Sequence, residues 1–189
     1  MALERGFKSD ANATAREIRE ELGLSLLDRL DPWQLAAHLQ IPVTALSEME
    51  PEAQNAVHRL HDLEPDAFSA LTVFHGSRRW IVHNDAHSLG RQASDLAHEL
   101  AHALLHHPPT PALDENGCRD WNQDIEDEAN WLAGAMLITE DAALSIVRKR
   151  TPLQVAAQEL GVSMKMMQWR INVTGARSRV ARSHLRRIK

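Results

Sequence analysis

The sequence predicts an α+β fold, with helices around a small antiparallel sheet and a helix-turn-helix-like pair of helices near the C-terminus. Three observations carry this. Two short runs rich in β-branched and aromatic residues, Ala70–His75 and Arg79–His83, flank Gly76-Ser77-Arg78, the pattern of a β-hairpin. On both sides of the hairpin, apolar residues recur at helical spacing. No internal repeat or low-complexity linker separates these parts, so helices and hairpin share one arrangement.

In chain order, residues 11–22 (ANATAREIREEL) read as a polar helix. Asp31-Pro32 is an N-cap followed by proline at the first helical position, and it opens the amphipathic segment WQLAAHLQ, which ends before Pro42. A helix is expected from Pro51 to about Leu63, ahead of the hairpin. A long helix follows from about Leu89 to His106, stopped by Pro108-Pro109. An acidic loop, Leu113 to Asp124, leads to a helix over Ile125–Ile138, whose apolar face is Ile125, Ala129, Leu132 and Met136. Thr139 and Thr151 read as N-caps, the second with Pro152 at the first helical position. Gly161 and Ser163 mark a turn into a last helix that ends near Gly175. The expected division is a core over 1–150, helix-turn-helix-like helices over 151–175, and a basic tail over 176–189.

Composition narrows the function classes. The hydrophobic fraction of 43% and the charged fraction of 25% suit a soluble globular chain of 189 residues. No run approaches the roughly 18 apolar residues of a membrane span, and the charged first twenty residues lack the apolar core of a secretory signal. The lone cysteine, Cys118, cannot pair within the chain, so a reducing, cytoplasmic setting is expected. The net charge of −5 is uneven: Leu160–Lys189 holds eight Lys or Arg and no acid. That segment suits nucleic acid, an acidic partner, the acidic body of the chain itself, or plain solvation.

Nine of the eleven histidines fall between His58 and His107, and they include His98-Glu99-Leu100-Ala101-His102 inside the long helix. Residues i and i+4 share a helical face, so His98 and His102 can bind one tetrahedral cation. Glu99 is rotated by about 100° and reaches a water on that cation without displacing it. Chance alone gives this pattern in roughly 5% of shuffled chains of this composition, so the motif needs support. A catalytic zinc site takes three protein ligands and leaves a fourth position open. A metzincin third ligand is excluded, because Leu105 and Pro108 stand where glycine and histidine would be needed. Glu126 and Glu128 both flank the apolar face of the next helix, so periodicity does not separate them. His106, one turn past His102, is a further candidate.

His98-Glu-Leu-Ala-His102 followed by Glu126-x-x-Ala129-Asn130-x-Leu-Ala133 resembles the ImmA/IrrE family of metallopeptidases. Ile81-Val-His-Asn84, Arg91-x-x-x-Asp-Leu-Ala-His98, Leu104-Leu-His-His107, Pro32–Val43 and Leu160-Gly-Val-Ser163 with Arg170 extend the similarity over about residues 24–175. The resemblance implies a small thermolysin-like (gluzincin) core, one Zn2+ per chain held by His98, His102 and Glu126, and Glu99 as catalytic base. It also implies a protein substrate, a helix-turn-helix transcriptional repressor. Two departures stand out: Ser94-Asp95 where the family has an aromatic and a threonine, and Met136-Leu-Ile-Thr139 where it has Leu-Leu-Met-Pro. Neither touches a ligand position.

Around the ligands, Asp95 and Asn130 are candidates to orient them. The chain has no tyrosine, so His83, His87 or Arg91 are the candidate oxyanion donors, and Cys118 is a candidate inhibitory thiolate. The competing reading is a DNA-binding regulator or toxin–antitoxin component. It would use residues 153–171 and the basic tail, with the metal site structural or inactive. Nucleic-acid binding is the less favoured partner class, and no membrane partner is expected.

Overall fold

The structure, a computed structural model, describes residues 3–76, 78–108 and 122–187. Its α+β architecture places nine α-helices around a three-stranded sheet among these residues. No helix among them is long and apolar enough to cross a membrane.

α1 (Phe7–Glu21) begins earlier than its sequence pattern suggested and turns Ala11, Ala15 and Ile18 into the core at i, i+4 and i+7. α2 (Pro32–His38) is capped by Asp31, whose carboxylate accepts from Trp33 N–H. The expected 51–63 helix is composite: α3 (Glu50–Val57) is kinked at Ala53 and continues as a π-helical turn over His58–Leu63.

The sheet is mixed rather than wholly antiparallel. β2 (Ala70–His75) and β3 (Arg78–His83) form the expected hairpin, and β1 (Val43–Ala45) pairs in parallel with the other side of β3, Val43 facing Ile81. The order β1-β3-β2 makes β3 central, and Ile81, Val82 and His83 are buried. Three residues after a proline are too short to show the alternation that marks a strand, so β1 is invisible in the sequence. Asn84 closes the sheet: its amide donates to the carbonyls of Leu60, Pro65 and Phe68 and its Oδ1 accepts from Ala86 N–H. It thereby fixes the approach to β2.

α4 (Leu89–Leu104) packs through Gln92, Ala93, Leu96, Ala97, Leu100 and Ala101 against α5 (Gln123–Leu137). From Trp131 to Leu137 every residue of α5 is buried, the mark of a central helix. Two buried arginines fasten its C-terminal end. Arg19 donates to the carbonyls of Met136 (2.8 Å), Ser25 and Asp28. Arg170 donates to Ile138 O (2.8 Å) and to Asn12 Oδ1. These donors satisfy carbonyls that a helix end leaves unpaired.

Thr139 caps α6 (Glu140–Lys149) by accepting from Ala142 N–H, as expected. Thr151 does not cap α7 (Leu153–Leu160): Pro152 holds that position and offers no side-chain acceptor. Gly161, left-handed at φ 67°, ends α7, and Ser163 caps α8 (Met164–Val173), giving the helix–turn–helix outline. The stretch read as a basic tail is helical as α9 (Ala176–Arg187), which packs on α6 through buried Ala176 and Val180. The Lys and Arg content masked this four-residue apolar spacing. Most of the acidic loop, with Cys118, lies outside the described residues.

Candidate metal centre

Two helices build the site. α4 presents His98, Glu99 and His102 on the side away from its apolar face, and the first turns of α5 present Glu126. Asn122 caps α5 by accepting from Asp124 N–H, which fixes where that helix starts and so where Glu126 points.

The Nε2 atoms of His98 and His102 lie 3.0 Å apart. Glu126 approaches the first at 3.2 Å through Oε2 and the second at 3.7 Å through Oε1. All three ligand atoms fall within 4.8 Å of one another, the one group of this kind among the described residues. Two nitrogens on a tetrahedral zinc ion at its usual bond length stand ~3.3 Å apart. The spacing of these donors, two imidazoles and a carboxylate, therefore fits a single divalent metal.

Electrostatics agree with that fit. Burial works against charge on His98, yet Glu126 and Glu99, with Asn130 alongside, outweigh it and raise its pKa above the usual histidine value. Desolvation and the neighbouring His98 push His102 down to about 4, so its ring is neutral near pH 7 and its lone pair is free to ligate. Two imidazoles and a carboxylate in such contact are a donor set suited to a divalent cation.

Glu99 lies near enough to His98 to act on it electrostatically, and its Oε2 accepts a 2.6 Å hydrogen bond from the Thr72 hydroxyl on β2. Sequence reasoning missed Thr72, because nothing local marks a strand threonine as a partner of a helix 27 residues away. It also missed Arg79, which lies over the Phe74 ring and whose charge helps lower the His102 pKa.

The other candidates are placed as follows. Glu128 does not join the ligand group; it pairs with His107 at 3.2 Å. His106 is exposed with φ 54° and stands outside the group. Asn130 lies beside His98, so it is brought to the site. Asp95 is engaged with His87 (3.6 Å) and Arg91 (3.8 Å), and burial raises its pKa. Arg91 also grips Asp66 at 2.6 Å and stands two turns, ~10 Å, before His98 along α4. His87 Nε2 is hydrogen-bonded to Pro65 O. His83 is 5% exposed and packs edge-on against Trp33, which makes it a core residue.

With this geometry in place, residues 53–172 match the family model of peptidase M78, the IrrE N-terminal-like domain. The chain belongs to that family. The match spans α4 and α5 and so includes every residue of the candidate metal centre. This M78-family protein has no match among curated proteins.

Proposed function

We propose that this M78-family protein is a zinc-dependent endopeptidase that cuts a regulatory protein, a helix-turn-helix transcriptional repressor, at a defined site. The observation that carries the chemistry is the convergence of His98, His102 and Glu126 with the Glu99 carboxylate near His98. Zinc held there would supply Lewis acidity, lowering the pKa of water and polarising the scissile carbonyl. Glu99 takes the proton of the attacking water on its carboxylate, then returns it to the departing amine. Thr72 steadies that carboxylate throughout. β2 is an edge strand among the described residues, so a peptide can add to it in extended form and run past Glu99.

The DNA-binding alternative draws less support. α8 buries Met167, Arg170 and Ile171, and its exposed positions Met164, Lys165, Gln168 and Asn172 include one cation. Phosphate contacts ordinarily need several, and the rest would have to come from α9, where Arg177 and Arg182 are exposed.

Co-expression with a repressor encoded beside this protein, wild type against Glu99→Gln, tests the proposal. Wild type should cut the repressor, and the variant should retain zinc and leave it intact. An uncut repressor with both proteins removes the substrate assignment, and equal cutting by both removes the role of Glu99.

A further inference from the structure

We infer that His107 and Glu128 form a positioning relay behind the metal ligand His102, fixing its tautomer and ring orientation and strengthening its hold on the metal. This rests on the metallopeptidase reading and extends it to two residues outside the ligand set.

The relay begins in the way α4 ends. His106 N–H donates to Ala103 O and His107 N–H to His102 O, while His106 sits in the left-handed region at φ 54°. That is a Schellman cap, in which the second residue past the cap Leu105 folds back onto the residue five positions earlier. Usually the resulting contact is apolar. Here it joins His107 to His102, with ring centroids 5.0 Å apart and the two Nδ1 atoms at 2.9 Å. Glu128, on the second turn of α5, completes the line at 3.2 Å from His107 Nε2. The His107 side chain is 9% exposed, so water competes little for either nitrogen.

Only one proton arrangement satisfies the whole line. His102 Nε2 faces His98 and Glu126, so its lone pair belongs to the metal and its proton must sit on Nδ1. That N–H donates to His107 Nδ1, which therefore carries no proton. The remaining His107 proton is on Nε2 and donates to the Glu128 carboxylate. Each group has one role, and the negative end of the line makes His102 a stronger donor to a cation. Ligating histidines commonly give their second N–H to a carboxylate directly, and such partners govern metal affinity. In this chain an imidazole is interposed. The arrangement also explains why Glu128, equivalent to Glu126 by sequence periodicity, is not a ligand.

The experiment measures zinc affinity by chelator competition for the full chain, His107→Ala, Glu128→Gln and the double variant, with circular dichroism confirming the fold of each. His107→Ala should weaken zinc binding about 10–100-fold and Glu128→Gln about 10-fold. In the His107→Ala background, Glu128→Gln should add nothing, because its effect travels through the missing ring. Long-range 15N–1H spectra of the unmodified zinc-loaded protein should show His107 protonated on Nε2 and bare on Nδ1. Wild-type affinity in both single variants, an undiminished Glu128→Gln effect without His107, or the opposite His107 tautomer would overturn the relay. His98→Ala separates this from the underlying reading. If the wild-type chain binds no zinc, or His98→Ala binds it equally well, the metal centre itself fails.

Discussion

Thr72 on β2 donates its hydroxyl to Glu99 Oε2 on α4 at 2.6 Å, so the strand at the sheet edge and the candidate base are mechanically joined. Such a short bond to a carboxylate is charge-assisted and stronger than a neutral one. It restricts where the Glu99 carboxylate can swing.

Replacing Thr72 by valine keeps the shape and removes the donor. Losing a hydrogen bond to a charged group costs about 1.5–3 kcal/mol, so kcat for repressor cleavage should fall by about 10–100-fold. Zinc content should stay at the wild-type level, and Thr72→Ser should recover most of the rate. A Thr72→Val enzyme as fast as wild type would show that Glu99 needs no such anchor.

Metal removal gives the next expectation. The site has two acidic groups, Glu99 and Glu126, around neutral His102, so the metal-free protein should be the less stable form. Zinc at a hundredfold excess over its Kd adds about 2.7 kcal/mol, or about 5–10 °C in Tm for a chain of this length. Scanning calorimetry after chelation and after zinc is restored reads this directly. In Glu126→Gln most of the zinc-dependent rise should vanish; a full rise would take Glu126 out of the ligand set.

How much of this was legible in the sequence depends on how far apart the partners lie. His98, Glu99 and His102 are readable because an i, i+4 relation is local, and the helix that holds them shows its own period. Glu126 and Glu128 are inseparable by that period, since both border the buried face of α5. The Asn122 cap and the packing of α5 on α4 separate them in space. Thr72, His107 and Arg79 meet the site through tertiary folding or through a cap geometry, and composition gives no sign of either. The partners of His83 and Arg91 are likewise set by tertiary folding. Both are chemically able residues near the motif in sequence, yet one is packed against Trp33 and the other is held by Asp66, Ser69 and Asp95.

Burial of His83 has a consequence for acid stability. Desolvation lowers its pKa in the folded protein below the ordinary value of 6.5. The unfolded chain therefore binds the proton first. The stabilisation from keeping this ring neutral is complete above the unfolded pKa and is lost as pH falls through about 6.5 toward the folded value. His83→Gln should remove that slope, so the stability gap between pH 7.5 and 5.5 in urea unfolding should shrink. An unchanged gap would mean that other groups set the acid limb.

The two buried arginines connect fold stability to the metal centre. Arg170 is fully buried, donates to Ile138 O and Asn12 Oδ1, and lies over the Trp131 ring at 5.4 Å. Burial pulls its pKa down to about 10, still far above neutrality, so the cation is retained. Arg170→Ala strips the donor from a buried carbonyl and opens a void beside Trp131. Each unsatisfied buried group costs about 1–3 kcal/mol, and the lost packing adds to that, so a destabilisation of about 3–5 kcal/mol is expected in denaturant unfolding. The damage should reach the site, because Arg170 and Arg19 hold the far end of the helix whose first turns carry Glu126. Zinc affinity of the folded fraction should therefore fall in Arg170→Ala, although the side chain lies outside the ligand group. Equal zinc affinity alongside a large loss of stability would show that α5 keeps its N-terminal end in place without this clamp.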